Sequence, residues 1–212
     1  MATDCATVMA SLGFQKFKVL AHDRGARVAH KLCVDYPERV EKVMLLDIAP
    51  TLTMFEKIDQ FLATTYWHWV FLIQPEPFPE KAMIQSVETF AEKFLGGGYG
   101  WGAGYMSDEA RSVYTAQFRV EAGVHAMCED YRAAATIDLV EARDDRENGR
   151  KIRCPVRVLW GRKGAIESNF DCLAEWKAVS DGEVSGEVVD SGHYIPEQVP
   201  DDVLRNAREF FN

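Results

Sequence analysis

One turn in the sequence limits the fold more than any other stretch. The strand-like segment 17–20 runs directly into Ala-His-Asp-Arg-Gly-Ala-Arg at 21–27, and apolar residues then recur at helical spacing until Pro37. Small residues around Asp23 allow the chain to reverse sharply, so that the Asp23 side chain projects above the end of the strand. A strand that passes at once into a helix predicts an α/β fold with a mostly parallel sheet.

Asp23 stands where a Gly-x-Ser-x-Gly turn would place a nucleophilic serine. An aspartate at this point can attack carbon directly and form an alkyl ester on its own side chain. This chemistry indicates displacement at an sp³ carbon, as in halides and epoxides, rather than ordinary ester hydrolysis. Aspartate before a helix is also a common cap, so the turn by itself leaves both interpretations open.

Two residues further along the chain favour the nucleophile. Asp47 closes the strand-like segment 43–46, and His193 follows shortly after the strand-like segment 184–189. The resulting order is nucleophile, acid, histidine, which is the order of α/β-hydrolase triads.

Four stretches together form a specific pattern. They are His-Asp-Arg-Gly-Ala-Arg-Val-Ala-His at 22–30, Leu-Asp-Ile-Ala-Pro-Thr at 46–51, Tyr-Trp-His-Trp at 66–69 and Gly-His-Tyr-Ile-Pro-Glu at 192–197. With them the chain resembles the fluoroacetate dehalogenases, a haloacid-specific branch of the α/β-hydrolases, from near Phe17 to the C-terminus.

The resemblance implies a hydrolase without cofactor or metal that cleaves the carbon–halogen bond of small haloacids. Asp23 would form an alkyl ester, His193 would activate water to hydrolyse it, and Asp47 would orient the imidazole. Some hydrolases carry the orienting acid after a later strand. Segment 160–164 reads Trp-Gly-Arg-Lys-Gly, with glycine where that carboxylate would have stood, so Glu167 is only the alternative to Asp47.

Arg24 and Arg27 lie three positions apart at a helix start, so both guanidinium groups can reach one side of the nucleophile. Their N–H donors fit a planar carboxylate, which favours haloacids over neutral haloalkanes. The alternative is that both arginines pair with acids on the surface.

The resemblance also assigns His68, Trp69 and Tyr131 as hydrogen-bond donors to the departing halide. Fluoride is a poor leaving group whose charge develops late, so preorganised donors lower the barrier. The neighbouring Tyr66 and Trp67 are interpreted as aromatic packing.

The middle of the chain lacks strand patterns. From 53 to 148 amphipathic helical stretches predict a helical cap, inserted after the Asp47 strand between two parts of an α/β-hydrolase core at 1–52 and 149–212. The glycine-rich segment 96–104 lacks the Lys-Ser/Thr of a phosphate loop and predicts a flexible cap loop. Compared with the family, the sheet is expected to lack its first strands. We therefore expect an N-terminally truncated chain in which the backbone amide of Arg24 supplies half of the oxyanion hole.

Composition excludes some functions. The net charge of −9 argues against nucleic acid as a partner, and no apolar stretch approaches membrane-spanning length. Five cysteines without a CxxC pair indicate reduced thiols and a cytoplasmic location rather than disulfides or a metal site. The expected partner is a small-molecule substrate, and a homodimer follows from the resemblance alone.

Two other functions stay open. An epoxide hydrolase would share the aspartate nucleophile and use cap tyrosines to protonate the epoxide oxygen, although Arg24 and Arg27 argue against it. A truncated, inactive remnant would keep the motifs without the activity.

Overall fold

The computed structural model describes residues 1–96 and 105–212. The predicted glycine-rich cap loop therefore lies, apart from Gly96, outside the described residues. In chain order the described elements are α1 (Ala2–Ser11), β1 (Phe17–His22), α2 (Asp23–Asp35), β2 (Val40–Leu46), α3 (Thr51–Glu56), α4 (Gln60–Thr65), α5 (Trp67–Leu72), α6 (Phe78–Gln85), α7 (Val87–Leu95), α8 (Asp108–Gln117), α9 (Glu121–Ala135), α10 (Ile137–Glu147), β3 (Val156–Gly161), α11 (Ala165–Asn169), α12 (Cys172–Ala178), β4 (Val184–Val189), α13 (Ile195–Gln198) and α14 (Pro200–Phe211).

The strands form one parallel sheet in the order β1-β2-β3-β4. The register aligns Val19 of β1 with Val43 of β2, Val43 with Val156 of β3, and Val156 with Val184 of β4. Because all strands point the same way, their carboxyl ends meet at one edge of the sheet, where open α/β sheets bind ligands. The predicted α/β class with a parallel sheet is confirmed.

β2 is buried on both faces, as is typical of an inner parallel strand. Alternate side chains point to opposite faces of a strand. Val43 and Leu45 join the larger apolar cluster with buried residues of α2 and α12, whereas Met44 and Leu46 join a smaller one with Val203 of α14. The sheet is thus covered on both sides. This packing fixes the position of β2 and therefore of Asp47, which follows it.

A helical insertion separates β2 from β3. Helices α3 to α10 follow one another there, without a strand among the described residues of this stretch. The predicted insertion after the Asp47 strand is confirmed, while the exact division into a core at 1–52 and 149–212 and a cap at 53–148 stays a prediction. Within residues 1–96 and 105–212, no helix is both long and apolar enough to cross a membrane.

Candidate active site

Asp23 begins α2 directly where β1 ends. Its backbone has a φ of 48°, in the left-handed region that costs a non-glycine residue roughly 1–2 kcal/mol. Such strain persists where the surroundings impose it, and it is typical of functional turns. The side chain is 35% exposed, so the carboxylate reaches accessible space at the carboxyl edge of the sheet.

Asp47 follows β2 at the same edge, also with a positive φ, of 50°. Its side chain is fully buried, and its Oδ1 accepts a hydrogen bond of 2.9 Å from the backbone N–H of Gly161. A Cβ on Gly164 would lie only 3.3 and 3.4 Å from the two carboxylate oxygens of Asp47. Gly164, in the turn after β3, therefore leaves room for the Asp47 carboxylate.

His193 lies between the two carboxylates. Its Nδ1 is 2.8 Å from Oδ2 of Asp47, and its Nε2 is 3.8 Å from Oδ1 of Asp23. The first distance is a hydrogen bond, whereas the second is longer than one. The imidazole is thus tethered on one side and faces the Asp23 carboxylate on the other.

The charges of these groups are coupled. Burial lowers the pKa of His193, but Asp23 and Asp47 outweigh burial and raise it to about 10. Burial raises the pKa of Asp23, but His193, His22 and Arg27 outweigh it and hold this pKa below the ordinary value. At neutral pH the resting site therefore contains a carboxylate at Asp23 and an imidazolium at His193.

Arg27 is buried one helical turn beyond Asp23. Its Nη1 donates to the carbonyl of Ala49 at 3.0 Å and to Oγ1 of Thr51 at 3.2 Å, and the guanidinium lies 4.6 Å above the Trp69 ring. Its Nε is buried without a hydrogen-bond partner among residues 1–96 and 105–212. Burial and the nearby Arg24 lower the pKa of Arg27 to about 10, which leaves it charged at neutral pH.

Arg24 is held by the helical insertion. Its Nε donates to the Asp130 carboxylate and its Nη2 to the Asp130 carbonyl at 3.0 Å, while the guanidinium stacks 4.6 Å from the centre of the Tyr131 ring. Nη1 is buried and has no partner within the described part of the chain. Each arginine thus has one enclosed nitrogen donor without a hydrogen-bond partner among the described residues.

His68, Trp69 and Tyr131 are buried together on α5 and α9. The ring centre of Tyr131 lies 5.7 Å from that of His68 and 5.9 Å from that of Trp69. Burial lowers the pKa of His68 to about 3, and the opposing effect of the Asp23 charge is too small to reverse this. His68 is therefore neutral at neutral pH and carries one N–H group.

Sequence reasoning gave no catalytic or binding role to three residues that the structure brings to this site. His22 contacts the backbone of His193, and Asp130 holds Arg24. The buried Tyr66 interacts electrostatically with the carboxylates of Asp47 and Asp23. Two of them adjoin residues that were selected, at 22 beside 23 and at 130 beside 131. That adjacency is a weak signal, because neighbouring residues often point in different directions.

Glu167, the alternative orienting acid, lies elsewhere. It accepts a hydrogen bond from the indole N–H of Trp160, while His193 is bound to Asp47. The position after β2 rather than the one after β3 therefore holds the acid that contacts the imidazole.

One group of side chains in the described residues has donor atoms close enough to hold a metal ion, at Glu80, His125 and Glu129. Arg132 already pairs with both glutamates, at 2.7 Å from Glu80 and 2.5 Å from Glu129. Its positive charge opposes a metal cation there, so the cluster is better described as an ion-pair network between α6 and α9.

The chain is similar to known proteins along its whole length. The model of the family described as alpha/beta hydrolase fold matches residues 1–199. Fluoroacetate dehalogenase of Burkholderia sp is 39% identical over 212 residues, covering 100% of this chain and 69% of that protein. Soluble epoxide hydrolase of Corynebacterium sp. (strain C12) is 26% identical, covering 100% of this chain and 72% of that protein. The structure of ALR0039 from Nostoc sp PCC 7120 matches with a TM-score of 0.95 and 44% identity, covering 100% of this chain and 72% of that one.

Proposed function

The chain belongs to the α/β-hydrolase family, and we propose that it is a hydrolase that cleaves the carbon–halogen bond of small haloacids such as fluoroacetate. The observation that carries the proposal is the arrangement of His193 between Asp47 and Asp23, with two buried arginine N–H groups nearby that have no partner among the described residues. A triad with an aspartate nucleophile suits displacement at carbon, and the arginines suit a substrate carboxylate.

Substrate binding would use Nε of Arg27 and Nη1 of Arg24. A buried donor without an acceptor costs about 1–3 kcal/mol, and more when it is charged. A carboxylate that enters the site supplies acceptors for both groups, so it gains charge-assisted hydrogen bonds and removes this cost. The substrate would thereby be anchored by its carboxylate, with its halogen-bearing α-carbon turned toward Asp23.

The first chemical step is displacement of halide. A lone pair on a carboxylate oxygen of Asp23 forms a bond to the α-carbon while the carbon–halogen electron pair leaves with the halide. Donors from His68, Trp69 and Tyr131 would stabilise the charge that develops on the halide. The Asp23 carboxyl group ends this step uncharged, as an ester of a carboxymethyl group whose own carboxylate keeps its negative charge.

The second step hydrolyses that ester. Esterification removes the negative charge of Asp23, which is one of the causes that raise the pKa of His193 to about 10. The imidazole then loses its proton more readily and can accept a proton from water. The water oxygen attacks the carboxyl carbon of Asp23, and the bond from this carbon to the ester oxygen, which came from the Asp23 carboxylate, breaks. The imidazolium returns a proton to that oxygen, and a 2-hydroxy acid leaves. The backbone amide of Arg24 would stabilise the intermediate oxyanion.

An epoxide hydrolase is the second candidate, because Tyr66 and Tyr131 both lie buried in the same aromatic cluster over Arg27 and Arg24. Their hydroxyl groups would have to protonate an epoxide oxygen. The two arginines count against this function, since a neutral epoxide offers them no carboxylate.

The test is single-turnover incubation with fluoroacetate in ¹⁸O-water. We expect fluoride release, detected with an ion-selective electrode, and one ¹⁸O atom in the peptide that contains Asp23. Styrene oxide in place of fluoroacetate tests the second candidate, with ¹⁸O in the Asp23 peptide as the measurement. Fluoride release without label in Asp23 would contradict the ester mechanism. If fluoroacetate gives no fluoride and neither substrate leaves ¹⁸O in Asp23, an inactive remnant is favoured.

A further inference from the structure

His22 reaches from the nucleophile turn to the loop that carries His193. It is the last residue of β1, immediately before Asp23. Its Nε2 lies 2.8 Å from the backbone carbonyl oxygen of His193, and the two imidazole centres are 4.8 Å apart with a tilt of 42°. One side chain thus joins the strand of the proposed nucleophile to the backbone of the proposed base.

The chemistry of this contact defines the state of the ring. A carbonyl oxygen only accepts, so Nε2 of His22 must carry the hydrogen and donate it. Burial first, and then the neighbouring His193, lower the pKa of His22 below its ordinary value. A neutral ring with hydrogen on Nε2 satisfies the carbonyl without placing a second cation beside His193.

Two further hydrogen bonds of this loop lie within residues 192–198. The His193 carbonyl also accepts from the N–H of Ile195 at 2.9 Å, and the Gly192 N–H donates to the Gln198 side chain at 2.7 Å. These two bonds join the loop to the first and last residues of the short helix α13. The bond from His22 differs because it sets the position of the loop relative to Asp23.

We propose that His22 is a positioning residue that holds His193 at the correct distance from Asp23 for hydrolysis of the ester. The proposal rests on the proposed function. Displacement of halide needs the Asp23 carboxylate but not a base, so loss of the His22 contact should slow the second step and spare the first. An error of about 1 Å in the position of a reacting group can cost about 10²-fold in rate.

The experiment compares His22→Phe, which keeps a ring but removes the donor, with His22→Gln, whose amide can donate at a similar reach. His125→Gln, at a half-exposed position of α9, is the control. In rapid-quench assays with fluoroacetate, we expect His22→Phe to give a burst of about one fluoride per site followed by turnover slowed about 10²-fold. We expect His22→Gln to recover most of the turnover and the control to match the wild type.

Three kinetic results would overturn the proposal: unchanged turnover in His22→Phe, equal losses in the Phe and Gln variants, or a burst slowed as much as turnover. Imidazole ¹⁵N spectra of the wild type supply a measurement that needs neither activity nor a variant. A hydrogen on Nε2 of His22 supports the proposal, and a hydrogen on Nδ1 alone contradicts it. If the wild type releases no halide, the proposed function fails, while this spectrum still decides whether His22 holds the loop.

Discussion

Nε2 of His193 faces Oδ1 of Asp23 across 3.8 Å. The negative charge of Asp23 acts with that of Asp47 to raise the pKa of His193 to about 10, so the imidazole is protonated in the resting protein at neutral pH. In the proposed mechanism, esterification neutralises Asp23, so we expect the base to become effective only after the ester has formed.

Asp23→Asn imitates this loss of charge. We expect the pKa of His193 to fall below about 10 in this variant, because one of its two carboxylate partners is replaced by a neutral amide. NMR titration of the imidazole protons measures the change. A pKa of His193 that stays at the wild-type value would show that Asp23 does not control the protonation of the base.

His193→Asn should separate the two chemical steps. Without a base, ester hydrolysis should slow by about 10²–10⁴-fold, while formation of the ester on Asp23 continues. Intact-protein mass spectrometry after addition of fluoroacetate should then show the added mass of a carboxymethyl group. His125→Asn serves as the control, and a His193→Asn protein that accumulates no ester would argue against Asp23 as the nucleophile.

Arg27→Lys keeps a positive charge but loses the Nε donor that is buried without a partner in the described residues. A hydrogen bond to a charged group contributes about 1.5–3 kcal/mol, so kcat/KM for fluoroacetate should fall by roughly 10- to 10²-fold. Fluoroacetamide lacks the carboxylate and should be affected much less. Arg119→Lys, at a surface ion pair with Glu88, is the matched control. Equal losses with both substrates would remove the carboxylate role.

Tyr131→Phe removes one hydroxyl group and keeps the ring on which the Arg24 guanidinium stacks. If this hydroxyl donates to the departing halide, the rate with fluoroacetate should fall by about 10-fold or more, because fluoride depends most on such donors. Chloroacetate, with a better leaving group, should lose less. Parallel halide-release assays measure the ratio, and an equal loss for the two substrates would contradict a role in halide stabilisation.

The stability of the protein should be greatest near pH 6.5. Burial lowers the pKa of His68 to about 3 and that of His30 to about 4, so the unfolded chain binds more protons than the folded one as the pH falls below 6.5. Each group should reduce the free energy of unfolding by roughly 1 kcal/mol per pH unit in that range. His193 acts in the opposite direction, because its raised pKa stabilises the fold below 6.5 and this contribution is lost as the pH rises toward about 10.

Urea unfolding between about pH 5 and 9 tests this dependence. His30→Phe should reduce the loss of stability on the acid side, because phenylalanine has no group to protonate. Its ring can keep the edge contact that His30 makes with Trp176, whose ring centre lies 5.2 Å away in the wild type. The same acid dependence in this variant would show that His30 does not contribute to it.

Sequence reasoning predicted the elements that local pattern determines. The turn at Asp23, the strand that ends before Asp47 and the strand that precedes His193 could all be predicted because apolar periodicity and small turn residues mark strand ends. Parallel strands bring their carboxyl ends to one edge of a sheet, so residues that follow such strands can meet there. Asp47 meets the others in this way, although it is 24 positions from Asp23 and 146 positions from His193.

Only the tertiary structure decided which side chains contact each other at that edge. It binds His193 to Asp47 and leaves Glu167 with Trp160, joins Arg24 to Asp130 across 106 positions, and directs His22 to a carbonyl 171 positions away. These contacts depend on the direction of each side chain and on how the helical insertion packs over α2. Neither is encoded in local periodicity, because both result from the packing of the whole chain.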